Sequence, residues 1–193
     1  MSRLFIAVEL PERLRERLAK IQGMIRPVLA SVRWVPPDNI HLTLKFLGNV
    51  EPDKIELIGE ALSRLAADRA PFAAAAEGIG AFPDLRRPRV IWAGAASGAE
   101  RLQGLAEDVE AKMFNLGFPR ENRDFSSHLT IGRFNRPTAI RGLDAILEKA
   151  GKEELGSFPV DVITLFQSEL APQGARYRSL GRYPLRGETV GNR

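Results

Sequence analysis

Two segments of this chain alternate apolar and polar residues at period two, and both contain the tripeptide His-Leu-Thr. They are Asn39-Ile40-His41-Leu42-Thr43-Leu44-Lys45-Phe46 and Phe125-Ser126-Ser127-His128-Leu129-Thr130-Ile131-Gly132-Arg133. Alternation at this period marks a strand with one face in a core and the other open. On such strands Leu42 and Leu129 turn inward, while His41 projects beside Thr43 and His128 beside Thr130. Any fold for this chain must therefore present two similar strands, each with an imidazole and a hydroxyl on its open face.

The remaining segments supply what surrounds these strands. The apolar run Leu4–Val8 reads as a buried strand ending at Glu9 and Pro11, and Pro11 opens a helix with Leu14, Leu18, Ile21 and Ile25 on one face. Trp34-Val35-Pro36-Pro37 breaks that helix, and Gly48 is expected to end the strand that follows. A second helix after Pro52 carries Ile55, Ile58, Leu62, Leu65 and Ala66. Residues 72–82 are Ala-rich but bounded by Pro71 and interrupted by Gly78 and Gly80, which favours strand. Val90–Ala93 is a short strand, and Leu102, Leu105, Val109, Met113 and Leu116 define a helix closed by Gly117. A fourth helix carries Ile140, Leu143, Ile146 and Leu147 and ends at Gly151. Val160–Phe166 and Tyr177–Leu180 close the chain as paired strands around a turn at Pro172-Gln173-Gly174, with the polar residues 186–193 expected to fray. Strands and helices mixed without strict βαβ alternation predict an α+β fold with mainly antiparallel sheets. The two His-Leu-Thr motifs lie 87 positions apart, which suggests an internal duplication.

Composition removes most alternatives. Among 193 residues there are no cysteines and only two histidines, which excludes disulfides, thiolate nucleophiles, cysteine-based zinc sites and a histidine-rich metal cluster. No apolar stretch approaches the roughly 18 residues of a membrane-spanning helix, and Glu9 interrupts the first apolar run before it could form a signal-peptide core. The expectation is a soluble cytoplasmic protein of one domain over residues 1–193, with neither metal nor cofactor. Of its 28 basic residues 22 are arginine, for a net charge of +4. Guanidinium suits phosphate recognition, although no basic run marks a nucleic-acid-binding tail.

Five threonines in 193 residues make Thr two places after both histidines about a 1-in-1,500 coincidence, so the spacing calls for a chemical account. Two imidazoles that titrate near ~6.5 suit an in-line displacement at phosphorus: the neutral one takes a proton from attacking water, the protonated one gives a proton to the leaving oxygen. The threonine hydroxyls, Thr43 and Thr130, can donate to non-bridging phosphate oxygens as charge builds there. No serine stands in a Gly-x-Ser-x-Gly elbow to compete as nucleophile. The alternatives are two strand histidines bonded to their neighbouring threonines, or a two-histidine metal site completed by Glu9 or Asp124.

With these motifs, as His41-Leu42-Thr43-Leu44 and His128-Leu129-Thr130-Ile131, the chain resembles the 2H phosphoesterase superfamily. It is most similar to the RNA 2′,3′-cyclic phosphodiesterase branch, historically called LigT or 2′-5′ RNA ligase. Arg3–Pro11, Trp34–Gly48, His128–Arg133 and Gly174–Leu180 also fit. The resemblance implies a bilobal fold with a pseudo-twofold axis, two sheets flanked by helices, and the motifs facing across a central cleft. It implies hydrolysis of RNA 2′,3′-cyclic phosphate ends to 2′-phosphomonoesters, with His41 as proton donor and His128 as proton acceptor. It also implies that Phe46 and Arg133, each five residues after its histidine, contact base and phosphate.

Strict alternation opposes that last implication, because position +5 falls on the face opposite the histidine unless the strand ends, twists or bulges. Gly132 makes a bulge plausible in the second motif only. Lys45 shares His41's face under strict alternation and is a candidate to bind phosphate. Trp34 and Tyr177 can stack on bases, and Arg86-Arg87-Pro88-Arg89 can follow an RNA backbone. The expected partners are RNA ends or nucleotides bearing 2′,3′-cyclic phosphate, met by a monomer without an obligate protein partner. Competing readings are the same chemistry on a small nucleotide cyclic phosphate, and a non-catalytic RNA- or nucleotide-binding module. RNA joining through a 2′-5′ linkage is the reverse reaction, which the concentration of water disfavours.

Overall fold

In a computed structural model that describes residues 1–95, 97–136, 139–171 and 174–188, the run Leu4–Val8 forms the middle of strand β1 (Ser2–Glu9), buried on both faces. Pro11 stands just before α1 (Glu12–Ile25), which buries Leu14, Leu18, Ile21 and Ile25. Three residues of β2 (Val32–Trp34) precede β3 (His41–Val50) and α2 (Pro52–Ala67). The ambiguous segment is β4 (Phe72–Phe82), followed by β5 (Val90–Ala95) and α3 (Ala99–Asn115). Gly117, left-handed at φ +86°, ends α3 as expected: its N–H reaches the Phe114 carbonyl at 2.9 Å and the Phe118 N–H reaches Met113 at 3.1 Å. The second motif opens β6 (His128–Phe134), and α4 (Leu143–Gly151) follows.

Three expectations are revised. Val160–Phe166 is not one strand. Asp161 separates β7 (Gly156–Val160), which pairs with β4, from β8 (Val162–Ala171), which pairs with β1 and with β9 (Gly174–Pro184). Gly48 does not end β3. At φ +71° it sits beside a register shift, and the strand continues to Val50. Arg186 and Gly187 are held by N–H bonds to the carbonyls of Ala66 and Arg69. Residues 189–193 and the expected turn at Pro172-Gln173 lie outside the described residues.

The described strands pair antiparallel in the order β7-β4-β5-β6-β3-β1-β8-β9, with β2 beside β6. The two expected sheets are thus halves of one nine-stranded sheet, joined at β3 and β6 through the single pair Leu42–Leu129. Exchanging β3 with β6, β1 with β5 and β8 with β4 maps one half onto the other. Each half of the chain lends a strand to its partner: β4, after α2, joins β5, and β8, after β7, joins β1. Helices follow the same symmetry, α1 packing with α4 near β4, and α2 with α3 near β8 and β9.

Leu42 and Leu129 are wholly buried at this junction. Burying each stabilises the fold by about 2 kcal/mol, and a one-residue slip would put a histidine or threonine in its place. That energetic gap sets which residues face outward.

Candidate active site

The Leu42–Leu129 pairing positions both motifs at once. Continued by one residue each way, its register sets His41 opposite Thr130 and Thr43 opposite His128, all four on the open face. Each histidine is the first residue of its strand, so the carbonyl two residues upstream is not used by the ladder. His41 Nδ1 donates to the Asn39 carbonyl at 2.8 Å, and His128 Nδ1 to the Ser126 carbonyl at 2.7 Å. A carbonyl only accepts, so Nδ1 carries hydrogen in both rings and Nε2 remains for chemistry. Asn39 is itself tied down, its side-chain amide donating to the Ala175 carbonyl at 2.8 Å.

The surroundings of the two rings differ. His41 stacks on Phe5 at 4.7 Å between centroids and meets the edge of Tyr177 at 5.2 Å, with Phe166 at 6.2 Å. His128 meets Phe82 edge-on at 5.1 Å and stands in the wall of a cavity of about 630 Å³ shared with Thr43, Phe46, Phe82 and Glu110. Burial among aromatics, followed by the Arg133 and His128 charges, lowers the His41 pKa from 6.5 to about 4, against an opposing contribution from the Asn39 carbonyl.

A folded pKa below the unfolded one means that the unfolded chain binds the proton more tightly. His41 therefore contributes stability fully present above pH 6.5 and lost as pH falls toward 4, on the order of 3 kcal/mol. The His41 ring is expected to titrate near pH 4 by NMR, and His41→Gln to flatten the denaturation midpoint between pH 6.5 and 4. A His41 titration near 6.5 would contradict this.

The difficulty at position +5 is resolved by a bulge in each motif. Opposite β1, Ala7 pairs with Thr43 and Ile6 with Lys45, leaving Leu44 extra. Opposite β5, Trp92 pairs with Thr130 and Ile91 with Gly132, leaving Ile131 extra. The extra residue reverses the alternation, so Phe46 and Arg133 rejoin the face of the histidines and threonines. Phe46 is 54% exposed and 6.0 Å from the Phe5 ring, which excludes a core role. The expectation of a bulge in the second motif only was too narrow.

The same bulge removes Lys45 from that face. It is 2% exposed, and its Nζ donates to Glu110 at 2.7 Å and to the Pro119 carbonyl at 2.9 Å. A lysine so engaged joins β3 to α3 and to the loop before the second motif, with its charge taken up by Glu110 and its side chain all but closed off from solvent. Tyr177 is brought to the site as a wall of the His41 cage. Trp34 packs over Gly132, where an added Cβ would lie 3.2 Å from its ring. Arg86 and Arg87 are exposed, their N–H groups donating to Asp84 at 2.7 and 3.0 Å, which lowers the Asp84 pKa. Among the described residues no three His, Asp or Glu side chains form a metal-binding group. No described helix is long and apolar enough to cross a membrane.

Sequence reasoning missed Phe5 and Phe166, which read as ordinary core residues, and Gln22. Gln22 is 2% exposed and donates to the Val35 carbonyl at 2.7 Å and to Ile131 at 2.8 Å, clamping the second bulge. Its signal was a polar residue inside the apolar stripe of α1, one turn from Leu18.

The antiparallel sheet and its paired motifs place the chain in the 2H phosphoesterase class. Within that class it belongs to the LigT-like phosphoesterase family, whose model matches residues 8–92 and 94–177, one stretch for each motif. It is 39% identical over 178 residues to an RNA 2′,3′-cyclic phosphodiesterase of Archaeoglobus fulgidus, covering 92% of this chain and 97% of that one. A second, of Methanothermobacter thermautotrophicus, is 34% identical over 183 residues, covering 95% and 98%. Among solved structures, a Thermus thermophilus protein superposes with a TM-score of 0.81 at 33% identity, covering 97% of this chain and all of that one. Escherichia coli LigT complexed with 3′-AMP gives a TM-score of 0.76 at 28% identity, covering 95% and 98%.

Proposed function

We propose that this protein hydrolyses 2′,3′-cyclic phosphate ends of RNA to 2′-phosphomonoesters by two-histidine acid–base catalysis without a metal ion. The observation that carries this reading is the register of β3 and β6, which sets two imidazoles with available Nε2 atoms and two hydroxyls on one open face. The activities for which the relatives are named and the nucleotide bound to LigT support the same substrate class.

In the proposed reaction His128, on the cavity wall, accepts a proton from water as the water oxygen bonds to phosphorus. The bond from phosphorus to O3′ breaks, and His41 gives its Nε2 proton to that oxygen. Thr43 and Thr130 donate to the non-bridging oxygens, and the Arg133 charge acts on the site from the next open-face position along β6. Phe46 and Tyr177 contribute aromatic surface beside the pair.

A donor must hold its proton, and His41 holds one poorly at neutral pH. An entering phosphate anion reverses the Coulombic part of that shift, because it offsets the Arg133 and His128 charges. The low pKa also favours a second reading, in which His41 is the acceptor and His128 the donor. Replacing the leaving oxygen by sulfur separates the two.

Incubation with a 2′,3′-cyclic-phosphate-ended oligoribonucleotide in EDTA is expected to yield the 2′-phosphate. A 3′-phosphate product reassigns the leaving oxygen, turnover restricted to mononucleotides favours the small-nucleotide reading, and binding without turnover favours a non-catalytic module.

A further inference from the structure

One departure from the twofold pattern places a second charge beside the site. Among the described residues strand β2 has no counterpart in the other half of the sheet, and its middle residue, Arg33, is the direct cross-strand partner of Arg133. Direct partners on antiparallel strands share a face, so Arg33 lies on the face to which the Ile131 bulge returns Arg133. Arg133 is near enough to His41 for its charge to be felt there. Both arginines are exposed, and neither makes an ion pair among the described residues.

Like charges directly opposite each other on a sheet are destabilising. Here the arrangement is nonetheless tightly built. Gly132 lets β2 lie against β6, since an added Cβ would stand 2.6 Å from Val32 Cγ1. The Ile131 carbonyl accepts from both the Val35 N–H at 3.0 Å and Gln22 at 2.8 Å. Two exposed arginines directly opposite each other on one face, beside an anion-processing cleft, can cradle a second phosphate between their guanidinium groups. After the bulge Arg133 is the next open-face residue beyond Thr130, about 7 Å along the strand, a spacing of the order of one nucleotide.

We infer that Arg33, acting with Arg133, binds the 5′ phosphate of the same nucleotide whose 2′,3′-cyclic phosphate meets the histidine pair. In an RNA end this is the phosphodiester to the preceding nucleotide. The inference rests on the proposed function for the identity of the first phosphate, and it assigns Arg33 the role of distinguishing a 5′-phosphorylated end from a bare nucleoside cyclic phosphate.

The test compares adenosine 2′,3′-cyclic phosphate with and without a 5′-phosphate, in the wild-type protein, Arg33→Gln and Arg33→Lys. The wild type is expected to prefer the 5′-phosphorylated substrate in kcat/KM, and Arg33→Gln to reduce that preference about tenfold, mainly through KM. Arg33→Lys keeps the charge without the planar fork and is expected to fall between them. A binding arm needs no turnover: adenosine 2′,5′-bisphosphate should bind more tightly than adenosine 2′-phosphate, and Arg33→Gln should reduce that difference about tenfold. If the preference is absent, or equal in wild type and Arg33→Gln, the inference is overturned while the proposed function stands. If neither cyclic phosphate turns over but the bisphosphate difference depends on Arg33, the proposed function fails and the anion site stands.

Discussion

His128→Ala and His41→Gln are each expected to lower kcat on a 2′,3′-cyclic-phosphate-ended RNA by about 10²- to 10⁴-fold without loss of the fold. Neither ring contributes to the main core. His128 borders the cavity, and glutamine at position 41 keeps much of the volume stacked on Phe5. Turnover within threefold of wild type in either variant would end the two-histidine mechanism. A substrate with sulfur in place of O3′ assigns the roles, because a thiolate leaves without protonation. If His41 is the donor, that substrate restores most of the lost rate to His41→Gln and none to His128→Ala. Rescue of His128→Ala instead would exchange the roles, as the low His41 pKa favours.

Lys45→Met is expected to destabilise the fold by about 3 kcal/mol, read as a fall in the urea midpoint. The methionine keeps the apolar stem but removes the ammonium, leaving the Glu110 carboxylate with the Glu121 N–H at 3.1 Å. Glu110 is partly exposed, and solvent there reduces the loss below that of a fully enclosed pair. Combining Lys45→Met with Glu110→Gln is expected to recover part of the stability, since no unpaired charge then remains. An unchanged midpoint in the single variant would show that the pair contributes nothing. The pair also links β3 to the Pro119–Glu121 segment ahead of His128, so its loss is expected to loosen one motif against the other.

The legible part of the site was its local part. Period-two alternation placed His41, Thr43, His128 and Thr130 on open faces, and Leu42 and Leu129 beneath them, because a side chain's face on a regular strand follows from parity alone. The same reasoning misplaced Lys45 and left Phe46 and Arg133 unresolved. Parity fails at a bulge, and a bulge is set by the partner strand: Leu44 is extra only against Ala7 and Ile6, and Ile131 only against Trp92 and Ile91. Nothing near Lys45 announced Glu110, which comes from a helix 65 positions away. The closing strands show the same limit. Val160–Phe166 is β-forming apart from Asp161, yet its two ends belong to opposite halves of the sheet.

By itself the sequence determined the chemistry available. Two histidines, each followed by Leu-Thr, and no cysteine leave acid–base catalysis by imidazole as the best use of the open strand faces. It also determined the α+β class, through apolar periods that are properties of neighbouring residues. Only the tertiary structure decided how unlike the two histidines are. Phe5, Phe166 and Tyr177 come from three strands spread over the length of the chain and close on His41, while His128 is left on a cavity wall. Two identical tripeptides have the same intrinsic proton affinity. Folding removes water from the His41 ring, and that desolvation depends on which distant segments arrive beside it.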